Sequence, residues 1–137
     1  MDTGRLNEIT KSIRLERMRV IIIDFNDNKL NAFFQQLENI KQSYNDLSSS
    51  CLHKNSKMPW TEFKKEYESI GEVINEEKFN HIQAELIEEV MYSILEMLDG
   101  YSNLGFDLDV IDKQTGESIK NGIQLHDRYR DFIDKSK

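Results

Sequence analysis

The apolar pattern is most regular between Glu76 and Asp99, where it predicts one long helix. Apolar side chains recur three and four residues apart in two neighbouring rows, which is the spacing of an α-helix. Two rows cover more than the single face that a surface helix buries, so we expect this helix to lie inside a bundle. The first row is Phe79, Ile82, Leu86, Val90, Ile94 and Met97, and the second row is Ile87, Met91, Leu95 and Leu98.

A third face of the same helix is polar and should face water or a partner. Its residues are again three and four apart, so they are neighbours on the helix surface. They are His81, Glu85, Glu88, Tyr92, Glu96 and Asp99.

Three further helices follow from the same periodicity, over about 28–47, 59–70 and 124–134. The first buries a face that includes Leu30, Phe34 and Leu37, and Asn26 or Asp27 is a suitable N-cap for it. Breaks are predicted between these helices. They are the polar loop 48–57, Pro59 in the first turn of the helix over 59–70, and Gly71 to Asn75, where Asn75 can cap the central helix over about 76–99.

The two ends of the chain differ in character. Residues 5–23 fit a helix, although Arg17 to Ile23 is rich in β-branched residues and fits a strand equally well. We favour the helix because no second long apolar strand lies nearby. Residues 106–112 alternate apolar and acidic, which predicts a small β-hairpin over about 105–120. The predicted fold is mainly α, a four- to five-helix bundle with a small C-terminal β-hairpin.

Length and composition place the chain in one class. Residues 1–137 suffice for a single helical domain with its own core. Abundant isoleucine, lysine and asparagine with little alanine indicate an AT-rich bacterial genome. One cysteine, Cys51, cannot form an internal disulfide, and neither a signal peptide nor a long apolar run occurs, so we expect a cytoplasmic protein without membrane contact.

The net charge of −7 is concentrated in one segment. Residues 71–99 hold eight acids against the single base Lys78, whereas the first twenty residues hold five bases and three acids. An acidic surface disfavours nucleic acid and favours a protein partner with a basic surface, although it can also serve solubility alone.

No pattern of catalytic or metal-binding residues is complete. His126 stands beside Asp127, but adjacent helix residues point in different directions and no nucleophile is placed by the sequence. Asp107, Asp109 and Asp112 lack the spacing of a calcium loop. His81 and the acids after it lack the Glu-x-x-His pairs of a di-metal bundle. We therefore expect no enzyme, no metal and no cofactor. The enzyme alternative would combine His126 with Asp109 or Asp112.

The acidic face of the central helix is the candidate binding surface. Carboxylates along a rigid helix can steer a cationic partner, and a tyrosine among them provides contact area. The predicted partner-binding residues are Glu85, Glu88, Glu89, Tyr92, Glu96 and Asp99, with a solvated helix face as the plainer alternative.

Several stretches of the chain resemble the small acidic helical immunity proteins of bacterial toxin systems. They are the stretch IIIDFNDNKLNAFFQQLENI followed by WTEFKKEY, and the acidic helix bearing Tyr92 within EEVMYSILEMLDGY, followed later by LHDRY. The resemblance implies a protein that binds a cognate toxin, often a basic nuclease, and covers its functional surface. It also implies Glu85, Glu88, Tyr92 and Glu96 as contact residues. The predicted hairpin departs from the four-helix immunity fold.

The predicted function is therefore that of a non-catalytic bacterial immunity protein that neutralises a basic toxin. The alternative is an oligomeric scaffold or regulatory subunit, in which the wide apolar coverage of the central helix forms a homodimer interface.

Overall fold

A computed structural model describes residues 28–56 and 60–137 of the chain. In this part the fold is mainly helical, as predicted, with four helices. We number them α1 (residues 28–50), α2 (Lys64–Val73), α3 (Glu76–Leu98) and α4 (Leu125–Ser136). The predicted helix over 5–23, its strand alternative, the Asn26 or Asp27 cap and Pro59 all lie outside the described residues.

Helix α1 is longer than predicted. The sequence predicted a loop from residue 48, but the helix continues through residue 50, and Ser48 and Ser49 are buried. The hydroxyls of both residues donate to the carbonyl of Asn45, at 3.1 and 2.8 Å. Serine side chains that bond back to the preceding turn keep a polar partner when they are buried, so these two positions can face the interior of the fold.

Helix α2 begins and ends later than predicted. It starts at Lys64 instead of 59, because the hydroxyl of Thr61 accepts the backbone N–H of Phe63 and holds the chain in a turn. It also continues through Gly71, which we expected to break it. A Cβ atom at Gly71 would clash with the carbonyl oxygen of Leu52, so this glycine is needed for close packing.

Helix α3 has the bounds and the N-cap that the sequence predicted, to within one residue. The side chain of Asn75 accepts the backbone N–H of Lys78 at 2.9 Å. At the other end, Gly100 has a φ of 93°, and the N–H of Tyr101 donates to the carbonyl of Glu96. This is the left-handed termination that glycine favours.

The core lies where α1, α3 and α4 meet. Tyr129 and Leu125 of α4 are completely buried there, and Phe34 packs against Tyr129 with ring centroids 5.6 Å apart. Burying one side chain of this size contributes about 1.5–3 kcal/mol, so this cluster supplies much of the folding free energy. The cluster contains Leu30, Phe34, Leu95, Leu125, Tyr129 and Ile133, with Met91 and Leu98 of the second row packed against it.

The first row of α3 is the main departure from the predicted bundle interior. Phe79 is buried, because the ring of Tyr67 from α2 packs against it with centroids 6.2 Å apart. Four later members of the row stay largely exposed. We call Ile82, Leu86, Val90 and Ile94 the open row; their exposed fractions are 57%, 58%, 53% and 48%.

The predicted β-hairpin over 105–120 is wrong: the part of the chain that the structure describes contains no strand. Only one antiparallel bridge forms, between Ile111 and Ser118. The side chain of Asp109 takes an amide that a ladder would use, since it accepts the N–H of Val110, and Asp112 accepts the N–H of Gln114 in the turn that follows. Among the described helices, none has an apolar stretch long enough to cross a bilayer.

Candidate functional site

All six predicted partner-binding residues lie on α3 or at its C-cap, but the structure does not place them on one open face. Glu85 and Glu89 are exposed, and Glu96 is half-buried. Glu88, Tyr92 and Asp99 instead contact side chains of α1, of α4 or of the segment before α4. The acidic face thus divides into an internal part and a solvent-exposed part.

Glu88 belongs to a polar cluster between α1 and α3. The ammonium of Lys41 lies 3.2 Å from Glu88 and 2.7 Å from Glu38. Burial lowers the pKa of Lys41, but the two carboxylates outweigh it and the net shift is upward. The hydroxyl of Tyr129 donates to Glu38 at 2.7 Å. The charge of Glu88 is therefore compensated within the chain.

Tyr92 is held between two residues of α4. The guanidinium of Arg130 lies 4.2 Å from its ring centroid, and the imidazole of His126 packs edge-on at 5.4 Å. A cation over an aromatic face is attracted by the negative charge of the ring's π-system. Tyr92 thus connects α3 to α4, which is a different role from the exposed contact that the sequence suggested.

Asp99 is the most buried of the six, with a side chain only 1% exposed. Its Oδ2 atom accepts the backbone N–H of His126 at 2.9 Å and the ring Nδ1 of the same residue at 2.5 Å. Because a carboxylate only accepts, Nδ1 of His126 carries the proton. Asp99 therefore caps the N-terminus of α4, where the side chain of Gln124 makes no capping bond.

The titration of Asp99 reflects these contacts. Burial raises the pKa of its carboxyl group. The nearby backbone N–H groups of His126 and Leu125 and the ring of His126 lower the pKa by a larger amount. The net pKa lies below the ordinary value, so the ionised form belongs to the folded structure.

Lys120 fixes the end of α3 to the segment that follows. Its ammonium donates to the carbonyl of Leu98 at 2.6 Å and to that of Leu108 at 3.1 Å, and it lies 3.7 Å from Asp99. A cation at a helix C-terminus complements the negative end of the helix dipole. The end of α3, the 101–124 segment and α4 are thus held together by the contacts of Asp99, Lys120 and His126.

The pairing of His126 with Asp109 or Asp112 does not occur. The carboxylate of Asp109 accepts the hydroxyl of Ser118 at 2.7 Å, and that of Asp112 binds Lys29 at 2.8 Å. A cleft of ≈ 490 Å³ lies beside Asp99, lined in part by Asp107, Asp109 and Ser118. The hydroxyl of Ser118 faces a carboxylate and not an imidazole, so no activated serine is formed there.

The described residues offer no metal centre, because none of their histidine, cysteine and carboxylate side chains form a group of three or more suited to one. Asp109 and Asp112 hold protein donors instead.

Glu85 and Glu89 form the solvent-exposed part of the acidic face. They are one helical turn apart, and both border the open row. Glu85 makes no ion pair with any described residue, and Glu89 lies 3.6 Å from Arg130 in a pair whose two side chains are more than half exposed. Such an exposed pair is worth at most about 1 kcal/mol and is easily exchanged for a partner.

Two features of this site were not predicted. The Asp99–His126 contact joins residues 27 positions apart, and no local pattern indicates it. The open row had a clear signal, namely its helical period, but that signal does not tell whether a neighbouring element covers it.

The chain matches no protein-family model, and neither the curated proteins nor the solved structures include one that matches it. A functional assignment therefore depends on the geometry of its own residues.

Proposed function

We propose that this protein is a non-catalytic bacterial binding protein of the immunity type, which neutralises a cognate toxin by covering a basic functional surface. The observation that carries the proposal is the position of Glu85 and Glu89, exposed one turn apart on α3 beside four exposed aliphatic side chains. Carboxylates steer a cationic partner toward the surface, and apolar contact area then slows its dissociation.

The state of the nucleophilic side chains supports a non-catalytic role. Cys51 is completely buried, and Ser118 donates to Asp109. The ring Nδ1 of His126 is held by Asp99, while its Nε2 lies 3.5 Å from Asp127. In this proposal Cys51 is out of reach of a substrate, and the base beside Ser118 is a carboxylate instead of an imidazole, so neither is arranged as a histidine-activated nucleophile.

The six predicted contact residues then divide by role. In this proposal Glu85 and Glu89 contact the toxin directly, with Glu96 further along the same helix. Glu88, Tyr92 and Asp99 act indirectly, because their contacts with Lys41, Arg130 and His126 keep α3 rigid. A rigid helix loses less entropy on binding than a mobile one.

Co-expression with the toxin encoded beside this gene tests the proposal. Cells that produce the toxin should survive only when this protein is present. Glu85→Lys with Glu89→Lys should weaken the complex at least tenfold by repelling the basic surface. The matched control is Glu62→Lys with Glu66→Lys, an exposed pair four residues apart near α2. Unchanged toxicity in the presence of the natural protein would overturn the proposal.

A second candidate is a subunit of a homo-oligomer, and the open row is the observation that favours it. Its acidic border and the net charge of −7 oppose the contact of two identical surfaces. Light scattering at high protein concentration distinguishes the two functions: a monomer agrees with the binding protein and a stable dimer with the subunit.

A further inference from the structure

The open row is a continuous apolar surface along successive turns of α3. Its members Ile82, Leu86, Val90 and Ile94 are each about half exposed, whereas Leu95 on the core side is 2% exposed. Phe79, the member before them, is covered by an aromatic contact with α2. The same face is therefore a packing face at its first turn and is unoccupied by described residues further along.

Exposed aliphatic residues in such a line need a physical reason. Single exposed apolar residues are common, but a contiguous and regularly spaced patch is typical of an interaction surface. The spacing of four residues is also what an amphipathic helix presents or receives when it lies lengthwise in contact with another helix. An elongated helical occupant fits this geometry.

The charge around the row determines the chemistry of that occupant. Glu85 follows Ile82 by three positions, and Glu89 follows Leu86 by three, so both carboxylates border the row. Residues 79–98 contain no lysine and no arginine, and Arg130 of α4 lies 3.6 Å from Glu89 in an exposed pair, so Glu85 is the border carboxylate without an ion pair among the described residues. The complementary surface is therefore apolar in the middle and positively charged at its edge.

We propose that the open row receives one amphipathic helix of the partner protein, with aliphatic residues at i, i+4 and i+8 and lysine or arginine beside them. This inference rests on the proposed binding function and names the element of the partner that docks. A second copy of this chain fits less well, since Glu85 and Glu89 would meet carboxylates of the same sign.

The first experiment measures whether the row is open in the full chain. Val90→Cys introduces a thiol in its centre, and Cys51 is completely buried and serves as the internal reference. Val73→Cys is the matched control, because Val73 of α2 is 86% exposed. Maleimide should modify both new thiols at similar rates and leave Cys51 unmodified in the native protein.

A slow reaction at position 90 would overturn the inference, because the row would then be covered without the partner. Mass measurement by light scattering would show whether a second copy covers it. If the protein stays monomeric, the cover is the chain's own residues 5–23, whose sequence also combines Leu6, Ile9 and Ile13 with basic residues.

The second experiment uses a synthetic 20-residue helical peptide with leucine at i, i+4, i+8 and i+12 and lysines along one border. A fluorophore attached within the row would disturb it, so the peptide carries the label and anisotropy reports binding. Leu86→Ser with Val90→Ser should weaken binding at least tenfold, and Val73→Ser should leave it unchanged. The same peptide with glutamates in place of the lysines should bind at least tenfold more weakly.

Equal binding of the two peptides, or equal binding to both serine variants, would overturn the inference. The proposed function fails separately. If the lysine peptide binds the row but the toxin is not neutralised, the docking surface is supported and the immunity function is contradicted. If the Leu86→Ser, Val90→Ser variant neutralises the toxin equally well, the immunity function is supported and the docked helix is contradicted.

Discussion

Asp99, the C-cap residue of α3, and His126, in the first turn of α4, are joined by two hydrogen bonds. One carboxylate oxygen of Asp99 accepts both the backbone N–H and the ring N–H of His126, at 2.9 and 2.5 Å. A single buried side chain next to the end of α3 thus caps α4 and holds an imidazole. Asp99 is therefore a structural element of the fold and not an open part of the acidic face.

Asp99→Ala should reduce the free energy of unfolding by about 2–4 kcal/mol. The variant loses a charged hydrogen-bond acceptor and leaves the ring N–H and the backbone N–H of His126 without it. Urea unfolding followed by circular dichroism measures the change. Asp107→Ala is the control, since Asp107 is exposed, and it should change the free energy by no more than about 0.5 kcal/mol. Equal effects of the two variants would contradict the capping role.

Acid should weaken the fold through Asp112. The hydrogen bond from Lys29 lowers the pKa of this carboxyl group to about 2, from 3.8 without such contacts. A lowered folded-state pKa gives stability that is fully present above pH 3.8 and is lost as the pH falls toward 2. Urea titrations between pH 5 and pH 2 should therefore show a steeper loss for the natural protein than for Asp112→Asn. Parallel curves would show that the Lys29–Asp112 pair contributes nothing.

Gly71→Ala should destabilise the protein by about 1–3 kcal/mol. Alanine favours a helix over glycine by about 1 kcal/mol, but here its Cβ would clash with the carbonyl oxygen of Leu52. The backbone must shift to accommodate it. Ser69→Ala, an exposed position of the same helix, should be neutral or slightly stabilising. A more stable Gly71→Ala protein would disprove the close approach of α2 to residue 52.

Two leucines of α3 should respond very differently to truncation. Leu95→Ala removes a side chain from the core and should cost about 2–5 kcal/mol. Leu86→Ala removes a side chain that is 58% exposed and should cost less than about 1 kcal/mol. Thermal or urea unfolding of the two variants measures the difference. Similar losses would show that the open row is covered in the folded protein.

The sequence predicted those parts of the fold that depend on interactions between residues close together in the chain. The helical period located the four described helices, and the capping chemistry of Asn75 fixed the start of α3. The predicted end of α1 and the predicted start of α2 were wrong, because the side chains of Ser48 and Thr61 form hydrogen bonds with the nearby backbone. The alternation at 106–112 predicted strands, but aspartate side chains compete for the amides that a hairpin needs.

The candidate site was predicted as a set of residues on the right helix, but not as the right surface. Whether a carboxylate on α3 is exposed depends on Lys41, Arg130 and His126, which come from other helices. Periodicity likewise located the first row but assigned it to the interior. No pattern within residues 76–99 indicates that Phe79 is covered by α2 while the next four members stay exposed.

The most direct measurement of the docking claim is a ¹H–¹⁵N spectrum of the full chain titrated with the lysine-bordered peptide. We expect the amide shifts to change most around Ile82, Leu86, Val90 and Ile94, while those of Leu125 and His126 stay in place. Changes centred on the Asp99–His126 cluster, or no saturable change at all, would contradict it.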